Sequence, residues 1–278
     1  MNKKIILCAS IVALTASTVV NAGDKGKGYD DNQESKVNCP VTHAALQTAI
    51  QNAQSKPNGG LGFHMWATVV NAQGVVCAVA RSGEGLNDQW LASRAISAQK
   101  AFTANGLSLT GENGFALSTA NLYAATQPGG SLFGLQFSNP VDTQWAYAGN
   151  AKKFGRADDP MVGRRVGGMN VFGGGLALYD AKNNMVGAVG VSGDTSCADH
   201  NIAWRVRDEL GLDNVPAGVG YGDNIIWDKS IRNDPNDDTY NNEKIDGFEH
   251  ATCSTAQQNI DANQIVIGEA PLGPNPQQ

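Results

Sequence analysis

The sequence predicts an α+β fold, an antiparallel sheet with flanking helices. Three observations lead there. The segments run in the order helix, hairpin, helices, hairpin, helix. Two stretches join β-branched runs through short polar turns, which is the mark of hairpins. Glycine is abundant, 33 of 278 residues, and favours sheets with tight turns over a helical bundle.

The elements follow from the N-terminus. Asn2-Lys3-Lys4 precedes the apolar run Ile5 to Val20 and the small-x-small sequence Val20-Asn21-Ala22. This is the pattern of a secretory signal over 1–22, cut after Ala22. The run is shorter than the ~20 apolar residues of a membrane span, so no span is expected. Residues 23–38 are polar and read as a flexible leader. The folded domain is expected over 39–211.

Within it, a helix starts at or near Thr42, with Leu46, Ile50 and Ala53 on one face, and ends at Pro57-Asn58-Gly59-Gly60. Phe63 to Asn71 reads as a strand, Asn71 to Gly74 as a turn and Val75 to Arg81 as its partner. A second helix is expected from Asp88 or nearby through Asn105, with Leu91, Ala95, Ala98 and Phe102 as its apolar stripe. A shorter helix is expected over Gly114 to Ala125. Ser131 to Arg165 is mixed and irregular, a long functional or insertion loop. Leu176 to Asp180 and Met185 to Ser192 form the second hairpin, and Ala198 to Leu210 the closing helix. Beyond Gly211 the chain is rich in Asn, Asp, Gly and Pro. Residues 212–278 are expected to be an extension lying on the core and burying little, with one apolar island at Ile265-Val266-Ile267.

The 26 acidic against 20 basic residues, net −6, argue against a nucleic-acid partner. With Cys8 inside the signal, Cys39, Cys77, Cys197 and Cys253 remain. An even number in an exported chain predicts two disulfides. Three pairings are open, and shorter loop closure leans towards Cys39 with Cys77 and Cys197 with Cys253. The chain is expected in the periplasm or outside the cell.

Catalytic patterns occur only in fragments. Ser97-Ala98-Gln99-Lys100 matches S-x-x-K, but no Ser-Asp-Asn or Lys-Thr-Gly completes it. Gly190-Val191-Ser192-Gly193 lacks the spacing of a nucleophile elbow, and Gly173-Gly174-Gly175 has no Lys-Ser/Thr after it. His43, His64, His200 and His250 form no His-Glu-x-x-His motif. Asp234, Asn236 and Asp238 resemble the start of a calcium loop whose Gly and closing Glu are missing. Arg156, Arg164 and Arg165 flank a Gly-rich run and suit carboxylates of a ligand.

Four stretches together resemble the GlcG/HbpS-like haem-binding (haem-degrading) family, related to the C-terminal domain of PduO-type proteins. They are Ala67 to Gly74 with Arg81, the helix end Lys100-Ala101-Phe102-Thr103-Ala104, the strand start Gly174-Gly175-Leu176, and Val186 to Gly193 followed by Asp199 and Ala203. Asn71 stands where the family has Asp, and Ala177 where it has Pro. The resemblance implies a profilin-like fold, haem as cofactor and a homo-oligomer. The motifs are mostly glycines, small residues and hydroxyls, which shape a pocket better than they move protons, so binding is favoured over catalysis. On this reading Trp66 and Phe102 would cover the porphyrin near Thr103, Gly174 and Gly175. Arg164 and Arg165 would meet the propionates, and His64, His200 or another side chain would be the axial metal ligand. The alternatives are an enzyme acting on a small organic acid or cofactor, and a structural oligomeric module.

Overall fold

Thr42 lies in extended backbone, and its hydroxyl accepts from the Ala45 amide, so helix α1 runs His43–Gln54. The computed structural model describes residues 38–111, 114–220, 222–226, 247–251 and 253. The signal over 1–22, the leader to residue 37, the run 234–238 and the island 265–267 lie outside the described residues. After α1 come β1 (Trp66–Asn71), β2 (Val76–Arg81), α2 (Ser93–Gly106), α3 (Tyr123–Thr126), α4 (Leu135–Ser138), α5 (Thr143–Ala146), β3 (Gly175–Tyr179), β4 (Met185–Ser192) and α6 (Ser196–Glu209). The four strands form one antiparallel sheet in the order β2-β1-β4-β3. Asn71 closes the first hairpin as an Asp would, its side-chain oxygen accepting from the Gln73 and Val75 amides at 3.0 Å.

Alternation along the strands sends residues to two cores. Ala67, Val69, Ala78, Ala80, Leu176, Leu178, Val189 and Val191 pack with α1 and α6, while Trp66, Val70, Val76, Val79 and Ala188 meet α2. The result is a three-layer sandwich. The small-residue face of α2 (Ala95, Ala98, Ala101) lies almost directly on β4. A side chain at Gly190 would come 2.0 Å from the Ser97 carbonyl oxygen, so glycine is what allows that approach. Cys39 is bonded to Cys77 and Cys197 to Cys253, with Cα separations of 5.5 and 6.2 Å.

Four expectations change. The first strand begins at Trp66, not Phe63, because side chains take the earlier amides: Leu61 and Phe63 donate to the Asp194 carboxylate and Met65 to the Ser82 hydroxyl. The second helix begins at Ser93, not Asp88, because Asp88 and Gln89 close a turn on Gly85. The helix expected over Gly114 to Ala125 shrinks to a 3-10 turn at Ala120–Leu122 and α3. Upstream amides are claimed elsewhere: Leu117 donates to the Ser108 hydroxyl, Ser118 to the Gly222 carbonyl and Thr119 to the Gly175 carbonyl. The stretch from Ser131 to Arg165, expected to be a long functional or insertion loop, carries the short helices α4 and α5 and is fastened to the core. Arg94 of α2 pairs with Asp159 through two nitrogens, Asp159 also takes the Gly155 and Met161 amides, and Val76 of β2 donates its amide to the Arg164 carbonyl and accepts from the Gly163 amide.

The first part of the C-terminal segment also buries more than its composition suggests. Val215, Ile225 and Ile226 are buried, and Arg207 of α6 pairs with Asp223 at 2.7 Å with both side chains fully enclosed. Asn121 fastens the same segment, donating to the Gly222 and Asn224 carbonyls and accepting from Ile226.

Candidate functional site

The residues singled out from sequence fall into three groups. Trp66 opens β1 and His64 lies two residues before it. Trp66 is fully buried on the α2 face, and its indole N–H donates to the Trp90 carbonyl at 2.9 Å. Phe102, Arg164 and Arg165 lie at the other end of the hairpin: the Arg165 Nε donates to the Gln73 carbonyl, and Phe102 covers Gly74. Arg164 stacks over Trp145 at 4.1 Å. Six residues of strand separate the two ends, roughly 17 Å at ~3.3 Å per step. Thr103 is buried, accepts from the Asn170 amide and donates to the Gln99 carbonyl.

The third group is a buried polar centre. The Lys100 ammonium donates to Asp199 at 2.6 Å and to the Val191 carbonyl at 3.1 Å, with neither side chain open to solvent. Burial lowers the Lys100 pKa against the pull of Asp199, and burial pushes Asp199 up to about 6 against the pull of Lys100. Gly174 and Gly175 wrap this pair. A side chain at Gly174 would strike the Val191 carbonyl oxygen at 2.3 Å, and one at Gly175 the Thr119 methyl at 2.5 Å. These glycines therefore serve close packing around Lys100. His200 is buried beside them, held neutral to about 3 by burial and by the charge of Arg207.

His64 is the predicted ligand with an open setting. It is half-buried, and its Nδ1 shares a hydrogen bond with the Ser82 hydroxyl at 3.0 Å. Among the described residues Nε2 has no hydrogen-bond partner. The Ser82 oxygen already accepts from the Met65 amide at 2.8 Å, so the ring is held by a group that is itself fixed. Around it stand exposed apolar side chains: Leu61 at 62%, Phe63 at 38% and Trp90 at 53% exposure, with the Phe63 and Trp90 rings edge to face at 5.1 Å. Clustered exposed apolar side chains of this kind are what a ligand-binding face offers.

Gly83 joins this face to a cleft of about 830 Å³, within the ordinary range for ligand sites. A side chain at Gly83 would lie 3.2 Å from the His64 ring. The cleft is lined by His43, Arg81, Glu84 and Arg156 among others. The His43 Nε2–H donates to the Gly155 carbonyl at 3.1 Å. Arg81, the arginine of the hairpin motif, faces Trp66 across the ladder. Phe63, Ser82 and Trp90 are the residues that sequence reasoning missed. The cleft arginines carried a signal, Arg81 through the hairpin motif and Arg156 through its place before the Gly-rich run.

Fold and surface together define an α+β sandwich module with a solvent-facing imidazole beside an aromatic patch. The chain belongs to the family of haem-degrading HbpS-like proteins, whose family model matches residues 38–207. Among solved structures it is similar to Klebsiella pneumoniae protein ORFY, at 24% identity over 61% of this chain and 90% of that one, with a TM-score of 0.40. It is also similar to a PduOC:haem complex, at 21% identity over 62% of this chain and 94% of that one, with a TM-score of 0.42. No curated protein matches the chain.

Proposed function

We propose that this chain is an exported haem-binding protein that serves scavenging, buffering or sensing of haem, and that it works as a homo-oligomer. Membership of the HbpS-like family supports haem as the ligand. One observation carries the site: His64 has Nδ1 tied to Ser82 and Nε2 without a described partner, next to the exposed Phe63–Trp90 pair. These residues fit the group. The His64 imidazole would supply a nitrogen ligand to the iron, the aromatic pair would cover apolar porphyrin surface, and Arg81 and Arg156 in the adjoining cleft would meet the propionates. Bound haem would supply the iron for any redox or degradative chemistry. His200 is enclosed, which disfavours it as an axial ligand in the present packing.

The test is a spectral titration. Micromolar binding or tighter, ~8 kcal/mol or more, is expected. His64→Ala should shift the Soret band and weaken binding at least tenfold, and Arg81→Gln should weaken it without the shift. No Soret change at tens of micromolar protein would overturn the reading. A second reading, a small organic acid held by Arg81 and Arg156, is favoured by the polar lining of the cleft, and calorimetry with carboxylates tests it. N-terminal sequencing of the extracytoplasmic protein tests cleavage after Ala22, and sedimentation tests the oligomer.

A further inference from the structure

Away from the His64 face, soft metal-ligating side chains gather where α6 meets the C-terminal segment. The sequence places Cys197-Ala198-Asp199-His200 on α6 and His250-Ala251-Thr252-Cys253 beyond it, two ligand pairs of equal spacing in mirrored order. A three-residue step keeps Cys197 and His200 on one face of the helix. The two Sγ atoms and a ring nitrogen of His250 lie within 4.8 Å of one another. Cys197, His200 and His250 are all buried.

The imidazoles are set up for a ligand in different ways. His250 Nδ1–H donates to the Ala251 carbonyl at 2.6 Å, which fixes the tautomer and leaves Nε2 as the acceptor, 3.0 Å from the Ser196 hydroxyl. A backbone carbonyl on the far nitrogen is the usual outer partner of a metal-bound histidine. His200 is the independent observation. Both its ring nitrogens are buried without a hydrogen-bond partner, a condition that native interiors rarely leave unexplained.

We propose that the Cys197–Cys253 disulfide is the oxidised, metal-free state of a zinc site, and that reduction opens it to Zn²⁺ held by Cys197, Cys253, His250 and His200. A dithiol reductant gives two electrons and two protons to the disulfide and is itself oxidised to a disulfide. The two thiols then release their protons to solvent as Zn²⁺ binds the thiolates. Zn–S bonds of about 2.3 Å and Zn–N bonds of about 2.0 Å put tetrahedral ligands roughly 3.3–3.8 Å apart. Both sulfurs already lie within 4.8 Å of a His250 ring nitrogen, so separation of the sulfurs would bring these three ligands to the metal, and His200, one helical turn from Cys197, would be the fourth. Two thiolates, two neutral imidazoles and Zn²⁺ sum to zero charge, which suits a buried position. Four protein ligands leave no open position, so the site is structural and its role is a redox-dependent clasp on the C-terminal segment.

The test uses the full chain, reduced with a phosphine and titrated with Co²⁺ and then Zn²⁺. One Co²⁺ per chain with thiolate charge-transfer absorption is expected only after reduction, and Zn²⁺ should displace it. Zn²⁺ should raise the melting temperature of the reduced chain, or refold it if reduction unfolds it. Cys253→Ser should abolish the charge-transfer band, His200→Asn should weaken Co²⁺ binding at least tenfold, and Cys39→Ser with Cys77→Ser should leave the signal in place. Absence of the band in the reduced chain, no response of its folding to Zn²⁺, an undiminished band in Cys253→Ser, or equal affinity in His200→Asn would each overturn the assignment.

Discussion

Replacing Lys100 by Met removes one partner of an ion pair whose side chains are 0% and 3% exposed. The methylene stem is kept in volume, so packing of α2 on the sheet changes little. The Asp199 carboxylate then retains only the Asp194 amide, at 2.9 Å. Leaving a buried charge without its partner costs about 3–5 kcal/mol, a large share of the ~5–15 kcal/mol that holds a domain together. For a chain of this size that corresponds to a melting temperature lower by roughly 6–20 °C. The loss has a pH signature. Asp199 sits at about 6 even with the ammonium beside it, because burial outweighs the pair, and without Lys100 it rises further. A carboxyl raised in the folded state destabilises the fold above its folded pKa, and that penalty fades as pH falls through it. The gap between Lys100→Met and the parent should therefore narrow from pH 7 to pH 5. Lys100→Met with Asp199→Asn should recover at least ~2 kcal/mol at pH 7, since no unpaired charge is then buried at this position. Urea unfolding followed by tryptophan fluorescence at both pH values reads all of this. A deficit under about 1 kcal/mol, a deficit independent of pH, or a double variant no better than the single would refute the reasoning.

Three further outcomes follow from the same structure. His200 and His250 are held down to about 3 and about 4, each chiefly by burial, so both stay neutral in the fold while the unfolded chain takes up protons below about 6.5. Stability should accordingly fall as pH drops from about 6.5 towards 4, by several kcal/mol even after the opposite contribution of Asp199, and equal melting temperatures at pH 7 and pH 4.5 would contradict this. Gly190→Val forces a side chain into the Ser97 carbonyl and should cost at least ~2 kcal/mol or prevent folding, as judged by circular dichroism and yield. Removing the Cys39–Cys77 bond by a double Ser substitution releases a 38-residue separation and should cost about 4 kcal/mol in thermal or urea unfolding.

The resemblance to the haem-degrading family was legible because its motifs are local. The turn at Asn71 to Gly74, the Lys100 to Ala104 helix end and the glycines of β4 each sit within a few residues. Both disulfide pairings also matched the direction of loop entropy. Part of the site was not legible for the opposite reason. Phe63 and Trp90 are 27 positions apart, and only the turn that Asp88 and Gln89 close on Gly85 brings their rings together.

Local pattern thus determined what local physics controls. Hairpins, most helices and the α+β class follow from side-chain alternation, turn chemistry and caps, each of which acts between neighbours in the chain. Met185–Ser192 is the clearest case, a glycine-spaced β-branched run that forms the predicted strand residue for residue. Tertiary structure alone decided where competing hydrogen bonds end an element. The amides of Leu117, Ser118 and Thr119 have a helix available to them and instead bond to Ser108, Gly222 and Gly175. It likewise decided which polar groups are buried together. Arg94 with Asp159, Lys100 with Asp199 and Arg207 with Asp223 join residues 65, 99 and 16 positions apart. Such pairs leave no period in the sequence, because a buried charge is stable only where the folded chain delivers its partner.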